Sequence, residues 1–265
     1  MQPVTADQLS DTLFRLGIRP GDGLLIHSAI QYLGHPEGGL EMYYQVICQA
    51  LNIDPSSADQ VPGVNGTLVV PTFNFAFAQE GAYDPMHTPS LGMGVFSEYV
   101  RTRPEARRTP HPMQSLVAVG GHAADLAGRD TPGAFDSGSA FERMLELDFK
   151  LLLLGADIQA VSMLHYSEQR SAVPYRYWKE FSGPYRTPQG WETRTYRLFV
   201  RDLDIDARIE LYSIQKSLQE QGKWRSLPLN YGEVAYCRLA DLVAEIDRWL
   251  AQDPWSMVTN RPTGA

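Results

Sequence analysis

Along the first fifty residues the apolar positions alternate between two periods. Leu9, Leu13, Phe14 and Leu16 fall at helical spacing behind Thr5 and Asp7, which predicts a capped amphipathic helix over residues 5–16. A turn over 17–23 then leads into Leu24, Leu25 and Ile26, a short buried strand. Beyond the loop Gly34-His35-Pro36-Glu37-Gly38-Gly39, the positions Met42, Tyr43, Val46, Ile47 and Leu51 return to helical spacing over 40–51. Strand, glycine-rich loop and helix in that order invite an anion, because first-turn amides and the helix dipole both face it.

Residues 52–66, with Pro55, Ser56, Ser57, Pro62 and Gly63, predict an exposed loop, and Thr67-Leu68-Val69-Val70 between Gly66 and Pro71 a buried strand. The aromatic, proline-broken segment 72–91 predicts an irregular stretch that wraps a cleft. A helix is expected over 94–103, strands over 116–120, 151–154, 198–202 and 237–239, and a closing amphipathic helix over 239–250 with Leu242, Ile246 and Leu250 on one face. Alternating strands and helices without a composition break predict a single α/β domain over 1–265. Residues 179–191, rich in glycine, proline and aromatics, read either as an ordinary long loop or as part of a substrate-covering insertion around 170–195.

The length of 265 residues and 43% hydrophobic content suffice for a sizeable core. Lys and Arg number 23 against 31 Asp and Glu, a net charge of −8, which argues against nucleic-acid or anionic-membrane surfaces because both need a basic stripe. Cys48 and Cys237 are too few for a disulfide framework and lack the spacing of a zinc or redox site. The first ten residues carry no apolar leader, and no apolar run exceeds the four residues 151–154, so a cytoplasmic protein is expected.

The chain contains no G-x-S-x-G elbow, no P-loop, no G-x-G-x-x-G after a strand and no H-E-x-x-H, which removes the standard hydrolase, nucleotide-binding and zincin signatures. Six histidines remain. His165 lies in Ser162-Met163-Leu164-His165-Tyr166-Ser167-Glu168; if this piece is helical, His165 and Glu168 share a face. A carboxylate beside an imidazole fixes its tautomer and prepares a general base, although a surface pair without function has the same spacing. No third group at metal spacing accompanies the pair. His111, held between Pro110 and Pro112 before a buried strand, either contacts a ligand or makes a structural hydrogen bond, and His27 at the end of a strand has the same two readings.

Taken in order, these segments resemble the aminoglycoside 3-N-acetyltransferases and their relatives. The resemblance is carried by Ile26-His27-Ser28, by residues 33–39, by 66–73, by Asp84-Pro85 with Thr88-Pro89-Ser90 and Gly92-Met93-Gly94, by Arg108-Thr109-Pro110-His111-Pro112 with Ser115, and by Leu152-Leu153-Leu154-Gly155 leading to His165 and Glu168. It covers about the first two-thirds of the chain. It implies a three-layer α/β/α sandwich, unlike the GNAT acetyltransferases, and an N-acyltransferase that uses acetyl-CoA or another short acyl-CoA and no metal. It assigns His27, Ser28, Gly34, Glu37, Gly38 and Gly39 to CoA, and sets Thr72 and Ser115 along the pantetheine or near the thioester. His165, oriented by Glu168, becomes the general base that deprotonates the attacking amine.

Two features depart from the resistance enzymes of that family. Ala29 stands where a second serine usually follows the His-Ser pair. The segment 171–181 looks more like members outside drug resistance, some of which acylate nucleotide-linked amino sugars. In such a role Arg176 and Lys179 suit a diphosphate and Tyr175, Tyr177 or Trp178 a base or sugar, with His111 also on the substrate side. The expected acceptor is therefore a nucleotide-linked amino sugar, with an aminoglycoside as the alternative; a CoA-binding protein without activity and a thioester hydrolase are the other classes. Oligomeric state is open, a homodimer being one outcome.

Overall fold

The computed structural model describes residues 3–57 and 59–263. In chain order its elements are α1 (Ala6–Leu16), β1 (Gly23–Ser28), α2 (Leu40–Leu51), β2 (Thr67–Pro71), α3 (Val95–Arg101), β3 (Arg107–Arg108), β4 (Leu116–Gly120), α4 (Ala123–Ala127), α5 (Ala140–Glu146), β5 (Lys150–Leu154), α6 (Leu164–Arg170), β6 (Arg176–Thr187), β7 (Gly190–Arg201), α7 (Tyr212–Glu220), β8 (Arg225–Leu229), β9 (Gly232–Arg238) and α8 (Leu239–Gln252). Local chemistry explains the first of them. The Thr5 hydroxyl accepts from the Gln8 amide while the Thr5 amide donates to the Gln8 side chain, a reciprocal cap, and Gly17 in the left-handed region ends α1.

Seven strands form one sheet in the order β3-β4-β2-β1-β5-β9-β8. β1 is central and runs parallel to both β2 and β5, whereas β4 and β9 run antiparallel to those neighbours. Successive strand side chains point to opposite faces, and both faces are covered. Leu25, Val69, Leu151 and Leu153 pack with α4, α5, α6, α7 and α8 in one core. Leu24, Ile26, Leu68, Val70, Leu152 and Leu154 pack with α1, α2 and α3 in the other. This is the three-layer α/β/α sandwich implied by the resemblance.

Residues 179–191 are neither a loop nor irregular. They belong to a long hairpin in which β6 and β7 pair from Arg176↔Arg201 to Thr187↔Gly190. Its inner face places Tyr185, Tyr196 and Leu198 against Phe77, Tyr83 and Met113 in a third cluster. Gly183 and Pro184 interrupt the alternation that announces a strand; Pro184 is tolerated because its carbonyl accepts from the Tyr83 amide at the hairpin edge, where no proline N–H is needed. Segment 72–91 is irregular apart from a short 3-10 turn at Phe75–Gln79, as its composition predicts.

The carboxyl ends of β1, β2 and β5 lie together, and antiparallel β4 begins at that same end. Ligands in open α/β sheets bind at such a point, where the chain departs from a central strand in both directions. Gly155 ends β5 there with φ +71°, and a Cβ on it would stand 2.8 Å from the Ala29 carbonyl oxygen, so only glycine lets β5 turn away this close to β1.

Candidate active site

α6 sets His165 and Glu168 on one face, and the His165 Nδ1 to Glu168 Oε2 distance is 2.6 Å. Glu168 is completely buried, and its Oε2 also lies 2.8 Å from Nε of Arg176 at the start of the hairpin. Burial pushes the Glu168 carboxyl up, but the hydrogen bond and charge of His165, with the charge of Arg176, outweigh it and hold the group below the ordinary carboxylate range. Glu168 is therefore an anion that fixes the orientation of His165. With Nδ1 so engaged, Nε2 is the ring nitrogen left for chemistry, and Phe135 packs against the His165 ring at 6.0 Å.

Two cavities meet at His165. One, of about 470 Å³, runs past His27, Met93 and Ser162. The other, of about 500 Å³, lies under the hairpin and is bordered by Phe135, Arg176, Phe181 and Leu198. Phe75, Gln114 and His165 border both.

The structure redistributes several residues expected at the site. His27 does border the first cavity, with Nε2 3.3 Å from the Ser162 hydroxyl, and the Ser28 hydroxyl beside it is buried without a partner. Gly34, Glu37, Gly38 and Gly39 border neither cavity. The three glycines all have positive φ, but the Glu37 amide is spent on the Val4 carbonyl and the Gly39 amide on that of Pro36, so these two amides are committed within the protein.

Thr72 and Ser115 are fully buried and border neither cavity. Their hydroxyls are 3.1 Å apart, Ser115 also donates to the Thr72 carbonyl, and Arg108 Nε donates to Ser115 Oγ. The lattice they form pins segment 72–91 to the start of β4. His111 is likewise internal: its Nδ1 accepts from the Gln114 amide at 3.1 Å and its ring meets Tyr196 edge-on at 5.1 Å. Tyr175 is 1% exposed, packed 5.3 Å from Trp255, so it cannot stack on a substrate. Lys179 is exposed, with its ammonium 5.3 Å from the Phe181 ring, and borders neither cavity. Arg176 does border the cavity under the hairpin, but its charge is already answered by Glu168.

Sequence reasoning missed Gln114, Phe75, Phe135 and Ser162. Gln114 lay inside the proline-stiffened segment that drew attention to His111, and it is the histidine's neighbour that reaches the cavities. Among the described residues no group of three or more potential ligands is placed to hold a metal, and no helix is long and apolar enough to cross a membrane.

Burial drives both His27 and His111 down to about 4. A histidine whose folded-state value lies below its unfolded value of 6.5 stays neutral in the native chain while the unfolded chain takes up the proton. Stability is then full above about pH 6.5 and is lost as pH falls toward 4, by up to about 3 kcal/mol per histidine. Melting temperature measured from pH 7 to 4.5 is expected to fall through this window, and less steeply for His111→Asn. Equal slopes for the two proteins would exclude this account of His111.

The family model described as aminoglycoside 3-N-acetyltransferase matches residues 25–251, and the chain belongs to that family. It is accordingly an acyltransferase. Aminoglycoside N(3)-acetyltransferase III of Serratia marcescens is 28% identical over 227 residues, covering 79% of this chain and 80% of that protein. Aminoglycoside N(3)-acetyltransferase VII of Streptomyces paromomycinus is 30% identical over 203 residues, covering 69% and 66%. Among solved structures, the AAC-IIIb binary complex with CoASH superposes with a TM-score of 0.82 at 21% identity, covering 98% of this chain and 100% of that one. The sisomicin-bound AAC-VIa structure gives 0.78 at 23%, covering 95% and 99%.

Proposed function

We propose that this protein transfers the acetyl group of acetyl-CoA to a primary amine of an aminoglycoside, by direct attack with His165 as general base and Glu168 as the anion that orients it. The observation that carries this reading is the placement of a carboxylate-held imidazole at the junction of two cavities. One cavity brings in the thioester past His27 and Ser162, and the other receives the amine under the hairpin.

An amine protonated in water has no lone pair for a thioester. Once the ammonium has lost one proton to water, the neutral amine attacks; His165 Nε2 takes a second proton from that nitrogen as the new N–C bond forms and the carbonyl electron pair moves to oxygen. Collapse breaks the C–S bond, and the imidazolium returns the proton to the departing thiolate. No covalent enzyme intermediate is needed, and both cysteines are buried away from the site.

The acceptor reading moves from a nucleotide-linked sugar to an aminoglycoside for two reasons. The side chains expected to hold a diphosphate and a base are not available at the two cavities: Arg176 is paired with Glu168, Tyr175 is buried, and Lys179, Tyr177 and Trp178 are exposed and border neither cavity. The relatives described above are also named for aminoglycosides.

The test is release of free thiol from acetyl-CoA with a multiply amino-substituted aminoglycoside and, in parallel, with a nucleotide-linked 3-amino sugar. Turnover with the aminoglycoside alone is expected. Turnover with the nucleotide sugar alone overturns the acceptor assignment while keeping the chemistry, and thiol release without any amine points to a hydrolase instead.

A further inference from the structure

We infer that Gln114 is a second catalytic residue, whose side-chain amide donates a hydrogen bond to the thioester oxygen as the tetrahedral species forms. The inference rests on the acyl-transfer reading above. Acyl transfer makes two demands at one point in space: a base for the amine proton and a donor for the negative charge that develops on the carbonyl oxygen. Among the described residues three border both cavities, and of these Phe75 is a hydrocarbon ring and His165 is committed to the proton. Gln114 is the remaining one, and its Nε2 carries the N–H that the oxyanion needs.

Its setting is that of a preorganised donor. The Gln114 amide is locked onto His111 Nδ1 at 3.1 Å, the Met113 carbonyl before it accepts from the Asn74 amide, and the Ser115 carbonyl after it accepts from the Thr72 amide. Met113 and Ser115 are themselves fully buried. The backbone is thus fixed on both sides, while the Gln114 side chain is partly exposed to the cavities and makes no hydrogen bond within the protein among the described residues. A rigid backbone with a free amide at the reacting point spends no protein hydrogen bond when the oxyanion arrives. The step remains balanced: nitrogen forms the new bond to carbon, His165 holds the proton, the C–S bond breaks, and Gln114 donates its hydrogen bond and is unchanged.

The experiment compares wild type with Gln114→Glu and Gln114→Leu in the acetyl-CoA and aminoglycoside assay, with CoA affinity measured by calorimetry. Gln114→Glu keeps the shape and places a carboxylate where the donor stood; Gln114→Leu removes hydrogen bonding at similar volume. Both are expected to lower kcat about 10²–10³-fold with CoA affinity and the KM for amine within about threefold of wild type. A Gln114→Glu enzyme that keeps wild-type kcat overturns the inference, since shape and not the donor is then what matters. A loss confined to the KM for amine overturns it also, by making Gln114 an acceptor-binding group. Silence of the wild type with every amine overturns the functional reading and this inference together, whereas an active wild type with unaffected variants overturns this inference alone.

Discussion

Replacing His165 with alanine is expected to lower kcat for acetyl transfer by about 10²–10⁴-fold while leaving the affinity for CoA unchanged. The effect is large because, among the described residues, nothing else at the junction of the two cavities can take the amine proton. Gln114 and Phe75 share that position, and neither has a basic site; Glu168 is fully buried behind the imidazole and bonded to it, so it cannot reach an acceptor amine. The fold should tolerate the change, because the His165 side chain is about one-third exposed, 34%, and removing it opens existing cavity rather than the core. Steady-state thiol release with calorimetry of CoA binding measures both quantities. A His165→Ala enzyme within about tenfold of wild-type kcat would remove the general-base assignment.

The second large effect is at Glu168, where activity and stability are joined. The carboxylate is buried and holds two cationic or potentially cationic partners, His165 on one side and Arg176 on the other. Glu168→Ala leaves Arg176, itself only 14% exposed, without its counter-ion, and breaking a buried pair on one side costs about 3–5 kcal/mol. It also releases the tautomer and orientation of His165, so kcat should fall about 10²-fold or more. Glu168→Gln separates the two effects: the amide oxygen can still accept from His165 Nδ1, so stability should suffer less, while the carboxylate's charge is gone. Substituting both partners, Glu168→Met with Arg176→Met, removes the unpaired charge and should recover most of the stability but none of the turnover. Denaturant unfolding and kcat on the four proteins check this. A double variant that regains activity along with stability would make Glu168 a structural residue only.

Much of this protein is legible in its residues. Apolar runs bounded by glycine or proline, such as 67–70 and 151–154, mark strands buried on both faces, and the caps at Thr5 and Gly17 mark the ends of a helix. The pairing of His165 with Glu168 is legible for the same reason: two side chains three apart on a helix must be neighbours. The hairpin of β6 and β7 is not, because both its faces carry charges and aromatics, and its partners, Phe77, Tyr83 and Met113, come from a distant segment. The same blindness shapes the expected acceptor contacts. Arg176, Lys179 and Tyr175 look alike in a list of polar and aromatic residues, yet packing sends the first to a buried carboxylate, the second to solvent and the third into the core.

The sequence by itself determined the period of α1, α2, α3 and α8 and of the strands β1, β2, β4 and β5, the family, and the imidazole–carboxylate pair, all of which depend on neighbours within a few residues. Only the tertiary structure decided that Arg176 neutralises Glu168, that Thr72, Ser115 and His111 are withdrawn into the interior, and that Gln114 stands with His165 where two cavities meet. Those outcomes depend on which groups are withdrawn from water and which are left facing it, and burial is a property of segments far apart in the chain brought to the same end of one sheet.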